Sequence, residues 1–332
     1  MTHTNLNNTP YKVQFYDSTL YSEWNKLLSD AKNATFLFHR DFMEYHQDRF
    51  QDASVMVFKN KKLIAVFPSN QKDKIIFSHQ GLTYGGLVYS SKLKFQTVLD
   101  CFKSLLLFYE SEGYETLNLK QLPSIYSKVP NAELDFLMFL MDAQLSRRDI
   151  LSVVKLSEKV AFSKDRKDGV KRAIKNQLVV KNDDYFDDFW NTILTPNLKE
   201  KHDALPVHSL EEIKFLHARF PKQIKQFNVY RNDKLVAGTT VFISDQVAHS
   251  QYISGNENNN QLGSLDFLHD YLLKTVFKDK PFFDFGISNE NQGKNVNSGL
   301  QYWKEGFGAR AITQDFYTLP IRNHLMLNGV ML

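Results

Sequence analysis

Hydrophobic positions along this chain follow two rhythms, a period of two and a period near 3.6, which take turns from one end to the other. Tyr11–Asp17 has the first rhythm and predicts a strand, while Glu23–Ala31 and Arg40–Phe50 have the second and predict helices. Ala53–Phe67 predicts two strands, VMVFKN and KKLIAVFP, folded back on each other at Asn60-Lys61. That turn lacks the glycine that most favours a two-residue hairpin. Lys74–Ser78 predicts a strand leading into a glycine-rich loop, Gly81–Gly86. An amphipathic helix is predicted over Lys94–Glu112 and is stopped by Gly113. A strand at Tyr114–Lys120, a helix at Leu134–Met141 and a strand at Asp149–Leu156 close the first half.

The second half runs through the same order. The basic segment Phe162–Asn176 predicts a helix and Leu178–Val180 a strand. Tyr185–Leu194 and Leu210–Phe220 predict helices, the latter with a capping box of Ser209 and Glu212 and a stop at Pro221. Phe227–Ile243 predicts a hairpin, Gln246–Ser254 a strand and Gly263–Phe277 a helix. Next come a buried strand, Pro281–Gly286, a polar loop from Ser288 to Asn297, a short helix over Ser298–Glu305 and a strand over Ala309–Thr318. The repeat is also in the residues. VFKNKKLIAV (Val57–Val66) and VYRNDKLVAG (Val229–Gly238) share Val, Asn, Lys, Leu and Ala in place. The order predicts an α+β protein of two related domains, residues 10–150 and 151–332, each a mixed, mostly antiparallel sheet flanked by helices.

Composition narrows the function classes. With 332 residues, 42% hydrophobic and 23% charged, the chain has material for two packed cores. A net charge of +4 does not by itself predict a nucleic-acid protein, and no DNA partner is expected. One cysteine excludes an internal disulfide, and Cys101, in an apolar helical run, reads as a core thiol. No apolar stretch reaches the roughly 20 residues of a membrane span. MTHTNLNNTP lacks the apolar segment of a signal peptide and reads as a disordered tail, so the expected location is the cytoplasm. The ten histidines are scattered without metal-ligand spacing beside carboxylates or cysteine, and no metal site is expected. No Gly-x-Ser-x-Gly elbow is present. His39-Arg40-Asp41 and Asp284-Phe285-Gly286 spell two protein-kinase words, but in different halves and without the asparagine the first requires.

The stretch from Phe282 to Tyr317 has the marks of a working site: a strand ending in an acidic residue and a glycine, a polar loop and a short helix ending in WKEGFG. The duplicated element order resembles the GNAT acyltransferase fold. In tandem it is similar to the FemAB-type transferases and to the acetyltransferase-like proteins encoded with envelope-polysaccharide enzymes. The words that carry the resemblance are KDRKDGVKRAIKNQLVV, NDKLVAGTTVF, HSQYISG, FDFGISNE, YWKEGFGAR and, in the first half, HQGLTYGGLVY.

The resemblance implies transfer of an acyl or aminoacyl group to an amine, without a metal or a covalent enzyme intermediate. Acyl-CoA is the expected co-substrate and aminoacyl-tRNA a possible one, with no bound cofactor. The acceptor would be an amino sugar or cell-wall precursor. Lys304 matches a lysine proposed to stabilise the oxyanion, and Tyr252 matches a site tyrosine. Asp284 is placed to orient the amine or take its proton. Gly85, Gly86, Arg166, Arg172, Gly263, Ser264 and Asn289 are candidate substrate-binding residues. Asn260–Leu265 stands where ordinary GNAT enzymes hold the CoA pyrophosphate on a helix N-terminus, but Asn260 and Leu265 depart from that pattern.

Plainer readings stand beside these. Lys304 would also complement a helix dipole, worth about 0.3–1 kcal/mol. Asp284 would make a strand exit, Tyr252 a half-buried aromatic, the glycines a tight loop and the basic run a solvated helix face. At the level of the whole chain, the alternative is a binding protein that keeps the fold without catalysis.

Overall fold

The computed structural model describes residues 10–332, so the polar tail expected at the N-terminus lies, up to residue 9, outside the described residues. Contacts gather the chain into two units. One comprises the described residues up to Arg148 together with Gln314–Leu332, and the other is Asp149–Thr313.

In the first unit the elements are β1 (Tyr11–Phe15), α1 (Tyr21–Asp30), β2 (Val55–Lys59), β3 (Lys62–Phe67), β4 (Asn70–Lys72), β5 (Ile75–Phe77), α2 (Phe95–Ser111), β6 (Thr116–Lys120), α3 (Glu133–Leu140) and β7 (Gln144–Lys155), which runs on into the second unit. β2 pairs antiparallel with β1 and β3, β4 antiparallel with β5, and β5 parallel with β6. The helical spacing of α2 puts Val98, Phe102, Leu105 and Tyr109 on one buried face, against Val55, Val57, Ala65 and Phe67. Each such side chain, fully buried, contributes about 1.5–3 kcal/mol. Cys101 lies in the same core, and burial pushes its thiol up to about 12.

The sequence places residues 314–332 with the second half, but the structure puts them in the first unit. Phe316–Pro320, in the strand Arg310–Pro320, pairs antiparallel with β6, Phe316 opposite Lys120. Leu319, Ile321 and Leu327 then fill the first core. The single helix predicted over Arg40–Phe50 is likewise broken into Arg40–Met43 and a 3-10 turn, Glu44–His46. Arg40 accounts for the break. Its buried guanidinium lies 3.7 Å over the Tyr16 ring and is held by Glu44 (2.9 Å) and Asp52 (2.5 Å). Reaching Asp52 requires the chain to turn back. The central residue of the kinase-like word His39-Arg40-Asp41 is therefore a packing group beside a cavity of about 320 Å³.

The second unit holds α4 (Lys164–Lys175), α5 (Thr195–His202), α6 (Leu210–Arg219), β8 (Ile224–Arg231), β9 (Lys234–Ile243), β10 (Val247–Gly255), α7 (Ser264–Tyr271), β11 (Phe282–Ile287) and α8 (Ser298–Glu305). β8, β9 and β10 form an antiparallel meander, β10 pairs parallel with β11, and β11 pairs antiparallel with the Leu151–Lys155 end of β7. Leu268 of α7 and Leu272, just beyond its end, pack on Phe227, Val241 and Phe283 of the sheet. The helix predicted to stop at Leu194 continues into α5 through a wider turn, Phe189–Leu194, in which the Thr195 N–H reaches the Trp190 carbonyl. That i→i+5 pairing accommodates Pro196, which has no N–H to give. The polar loop after β11 closes into a small ribbon, Asn289–Glu290 against Asn295–Val296.

The repeated decapeptide folds the same way twice. Lys59 pairs with Lys62 around Asn60 (φ 49°) and Lys61 (φ 66°), and Arg231 pairs with Lys234 around Asn232 (φ 46°) and Asp233 (φ 60°). Two left-handed residues make the hairpin turn whose twist matches the strands, and here it forms without glycine. The register shifts between Val57 and Phe58 in one hairpin and between Val229 and Tyr230 in the other, the same place in the repeat. Side chains in the left-handed region cost roughly 1–2 kcal/mol, offset in part by the entropy glycine loses. Lys61→Gly and Asp233→Gly are therefore each expected to raise stability by about 0.5–1 kcal/mol, read from the denaturant midpoint.

Candidate active site

β10 and β11 run side by side for only three register pairs, Val247–Phe282, Ala248–Phe283 and His249–Asp284. Beyond them no pair joins the two strands. Two local devices shape this opening. On β10, Tyr252 lies opposite Thr240 and His249 opposite Phe242, so three steps on β10 match two on β9. The extra residue turns Tyr252 onto the face that carries His249, where strict alternation would separate them. On β11, Gly286 sits at φ +70°, and a Cβ there would stand 3.2 Å from Cε1 of His249.

Asp284 is 0% exposed. Its Oδ1 accepts the Gly286 N–H at 2.7 Å, and its Oδ2 lies 3.1 Å from Nδ1 of His249. Lys304 comes from the last turn of α8, which Asn297 caps by accepting the Leu300 N–H. Its side chain is 2% exposed, and Nζ donates to the carbonyls of Gly286 (3.1 Å) and Ile287 (2.6 Å). A lysine serving only the helix dipole would stay in solvent; this one reaches the end of a neighbouring strand. Burial lowers its pKa to about 8, and the Asp284 charge opposes that shift without cancelling it. His269, on α7, lies among Phe283, Phe285, Trp303 and Phe307. Burial brings its pKa to about 4, and the Lys304 charge adds to the same direction.

The other nominated residues have partners of their own. The Tyr252 hydroxyl is 2.6 Å from Nδ1 of His208 and accepts its backbone N–H at 3.1 Å. Arg166 pairs with Asp266 at 2.6 Å, and Asp266 also accepts the Trp303 indole N–H at 3.0 Å. Arg172 is on the exposed side of α4. Asn289 accepts the Ile150 N–H and donates to the Gly293 carbonyl, pinning the loop after β11 to β7. Gly85 and Gly86 belong to the first unit, where the Gly85 N–H bonds the Lys120 carbonyl.

Gly263 and Ser264 begin α7, at a helix start closed by protein groups. Asn259 Oδ1 accepts both the Ser264 hydroxyl and the Leu265 N–H, and Ser264 is buried. A Cβ on Gly263 would meet the Gly169 carbonyl oxygen of α4 at 2.1 Å. α4 therefore occupies the place where a phosphate would approach. Sequence reasoning missed His249 and His269. HSQYISG was singled out for its tyrosine, and nothing in the residue types signals the extra residue on β10.

No protein-family model matches the chain, and no curated protein matches it. Solved structures do. FemX superposes with a TM-score of 0.64 at 10% identity, over 92% of this chain and 96% of that one. L-PGS from Bacillus licheniformis gives 0.55 at 10% identity, over 95% and 96%. A tandem GNAT protein from the clavulanic acid biosynthesis pathway, solved without AcCoA, gives 0.51 at 11% identity, over 94% and 98%. At such identities the likeness establishes the fold. It is a FemAB-like fold on the GNAT plan, α+β, with mostly antiparallel sheets flanked by helices.

The buried ammonium yields a stability prediction. Between pH 8 and 10.5 the unfolded chain keeps the Lys304 proton and the folded chain has released it, so this residue makes stability rise with pH. The shift from 10.5 to about 8 amounts to about 3 kcal/mol. The stability difference between the wild type and Lys304→Met, from denaturant unfolding at pH 7 and 10, should move toward the wild type by up to about that amount.

Proposed function

We propose that this chain is an N-acyltransferase that moves an acyl group onto an amino group of a cell-envelope glycan or its nucleotide-linked precursor. The observation that carries this reading is the Lys304 ammonium, buried and fixed on two carbonyls where β10 and β11 part. A neutral amine attacking a carbonyl makes an oxyanion, and a preoriented cation in a dry site stabilises that charge more than water does. Among the described residues Nζ makes two hydrogen bonds, leaving its third proton for the oxyanion. The separated strand edges supply backbone groups for an extended acyl arm.

The donor in the first reading is an acyl-CoA. A second reading, an aminoacyl-tRNA ester, is favoured by the closed start of α7, which denies CoA its usual phosphate seat, and by the exposed Lys164, Lys167, Lys171, Arg172 and Lys175 of α4. Each donor class, incubated with amino-sugar nucleotides and followed by product mass, separates the two. Lys304→Met should lose about 10²–10³ in kcat, as for removal of an oxyanion donor. Because the ammonium is the active form, wild-type kcat should fall as pH rises through about 8. Unchanged turnover in Lys304→Met would remove the mechanism. Acceptor binding without turnover for any donor would favour a binding protein.

A further inference from the structure

We propose that His249 is the residue that takes the proton from the attacking amine and that Asp284 is its positioning residue. This assignment rests on the acyltransferase reading above. The sequence points to Asp284 as the group beside the amine, but the geometry points past it. Asp284 is wholly buried, and its two carboxylate oxygens are engaged by the Gly286 N–H and by the His249 ring. An amine cannot reach it without displacing the imidazole.

His249 is also buried, but it is not sealed. It is 9% exposed, and its Nδ1 faces the carboxylate. A carboxylate accepts only, so Nδ1 carries the ring proton and Nε2 keeps its lone pair. Among the described residues Nε2 has no hydrogen-bond partner, and it is not one of the sealed polar atoms. Gly286, whose missing Cβ would crowd Cε1, keeps that edge of the ring clear. The carbonyl of the same glycine holds Lys304. One residue thus positions the carboxylate behind the base through its N–H and the cation through its C=O.

The reaction balances on these groups. The amine lone pair forms the C–N bond, and the carbonyl π pair moves to oxygen, facing the Lys304 ammonium. The amine proton passes to Nε2 of His249. The oxyanion then collapses, the bond to the leaving thiolate or alkoxide breaks, and that group takes the proton from the imidazolium. The ionisable group that contacts His249 is Asp284 on β11, whose charge also acts on Lys304 of α8, while Tyr252, on the same face of β10, is bonded to His208.

The test uses the full chain with whichever donor and acceptor give product. His249→Ala should lower kcat/KM by about 10²–10⁴, and free imidazole should restore part of the rate. In Asp284→Asn the Gly286 N–H keeps the amide oxygen, so the amide NH2 faces Nδ1 and forces the ring proton to Nε2. That variant should be impaired even if its fold is intact. An active wild type with His249→Ala unimpaired would overturn the proposal and leave the acyltransferase reading standing. If no donor gives product, 15N NMR of the histidine ring decides. Nδ1–H with bare Nε2 in the wild type, reversed in Asp284→Asn, supports the assignment, and Nε2–H in the wild type overturns it.

Discussion

The second unit depends on how one peptide, Gly286, uses both of its polar groups. Its N–H goes to Asp284 and its carbonyl accepts Lys304, while its left-handed backbone passes close to His249. Burying a lone ammonium costs several kcal/mol, and the partners must offset that cost. Here two carbonyl dipoles and one nearby carboxylate offset part of it. The lysine pKa still falls to about 8, so desolvation outweighs the favourable charge. A group held near its own titration is more useful to a reaction than to stability.

Much of the fold was legible because its signals are local. The two hairpins came from alternation and from a repeated decapeptide, and the paired left-handed turns and bulges confirm their equivalence. What the sequence hid was long-range pairing. Nothing local to Phe316–Pro320 says that its partner is β6, nearly two hundred residues earlier, so those residues were assigned to the wrong half. The broken helix after His39 has a similar cause. Arg40 satisfies helical periodicity, but its partner Asp52 is outside any helix that periodicity can delimit.

The candidate site was legible where residue type is itself a signal. A lysine before a glycine stop and an aspartate ending an aromatic strand stand out, and the structure brings both to the end of β11. His249 did not stand out, because a histidine inside a strand carries no role until its face is known. A single extra residue on β10 sets that face, and bulges leave little trace in composition. Glycines misled for a related reason. Gly263 permits close approach, but its sequence does not say whether the visitor is a ligand or a helix.

The visitor at Gly263 is α4, and its arrival has a consequence for Lys304. Asp266, in the first turn of α7, bonds both Arg166 of α4 and Trp303 of α8. Burial raises the Asp266 pKa and Arg166 pulls against that, so what ties this carboxylate to the packed helices is its pair of bonds. Trp303 also stacks edge-on against Phe285 and Phe307, which fixes the rotation of α8 about its axis. Lys304 is the next residue, so the rotation that seats the indole also aims the ammonium at Gly286. The start of α7 is thereby bound into the support of the lysine. Opening it would loosen α4, then Asp266, then the aim of Lys304, so this helix start and the seat of the cation rest on the same packing.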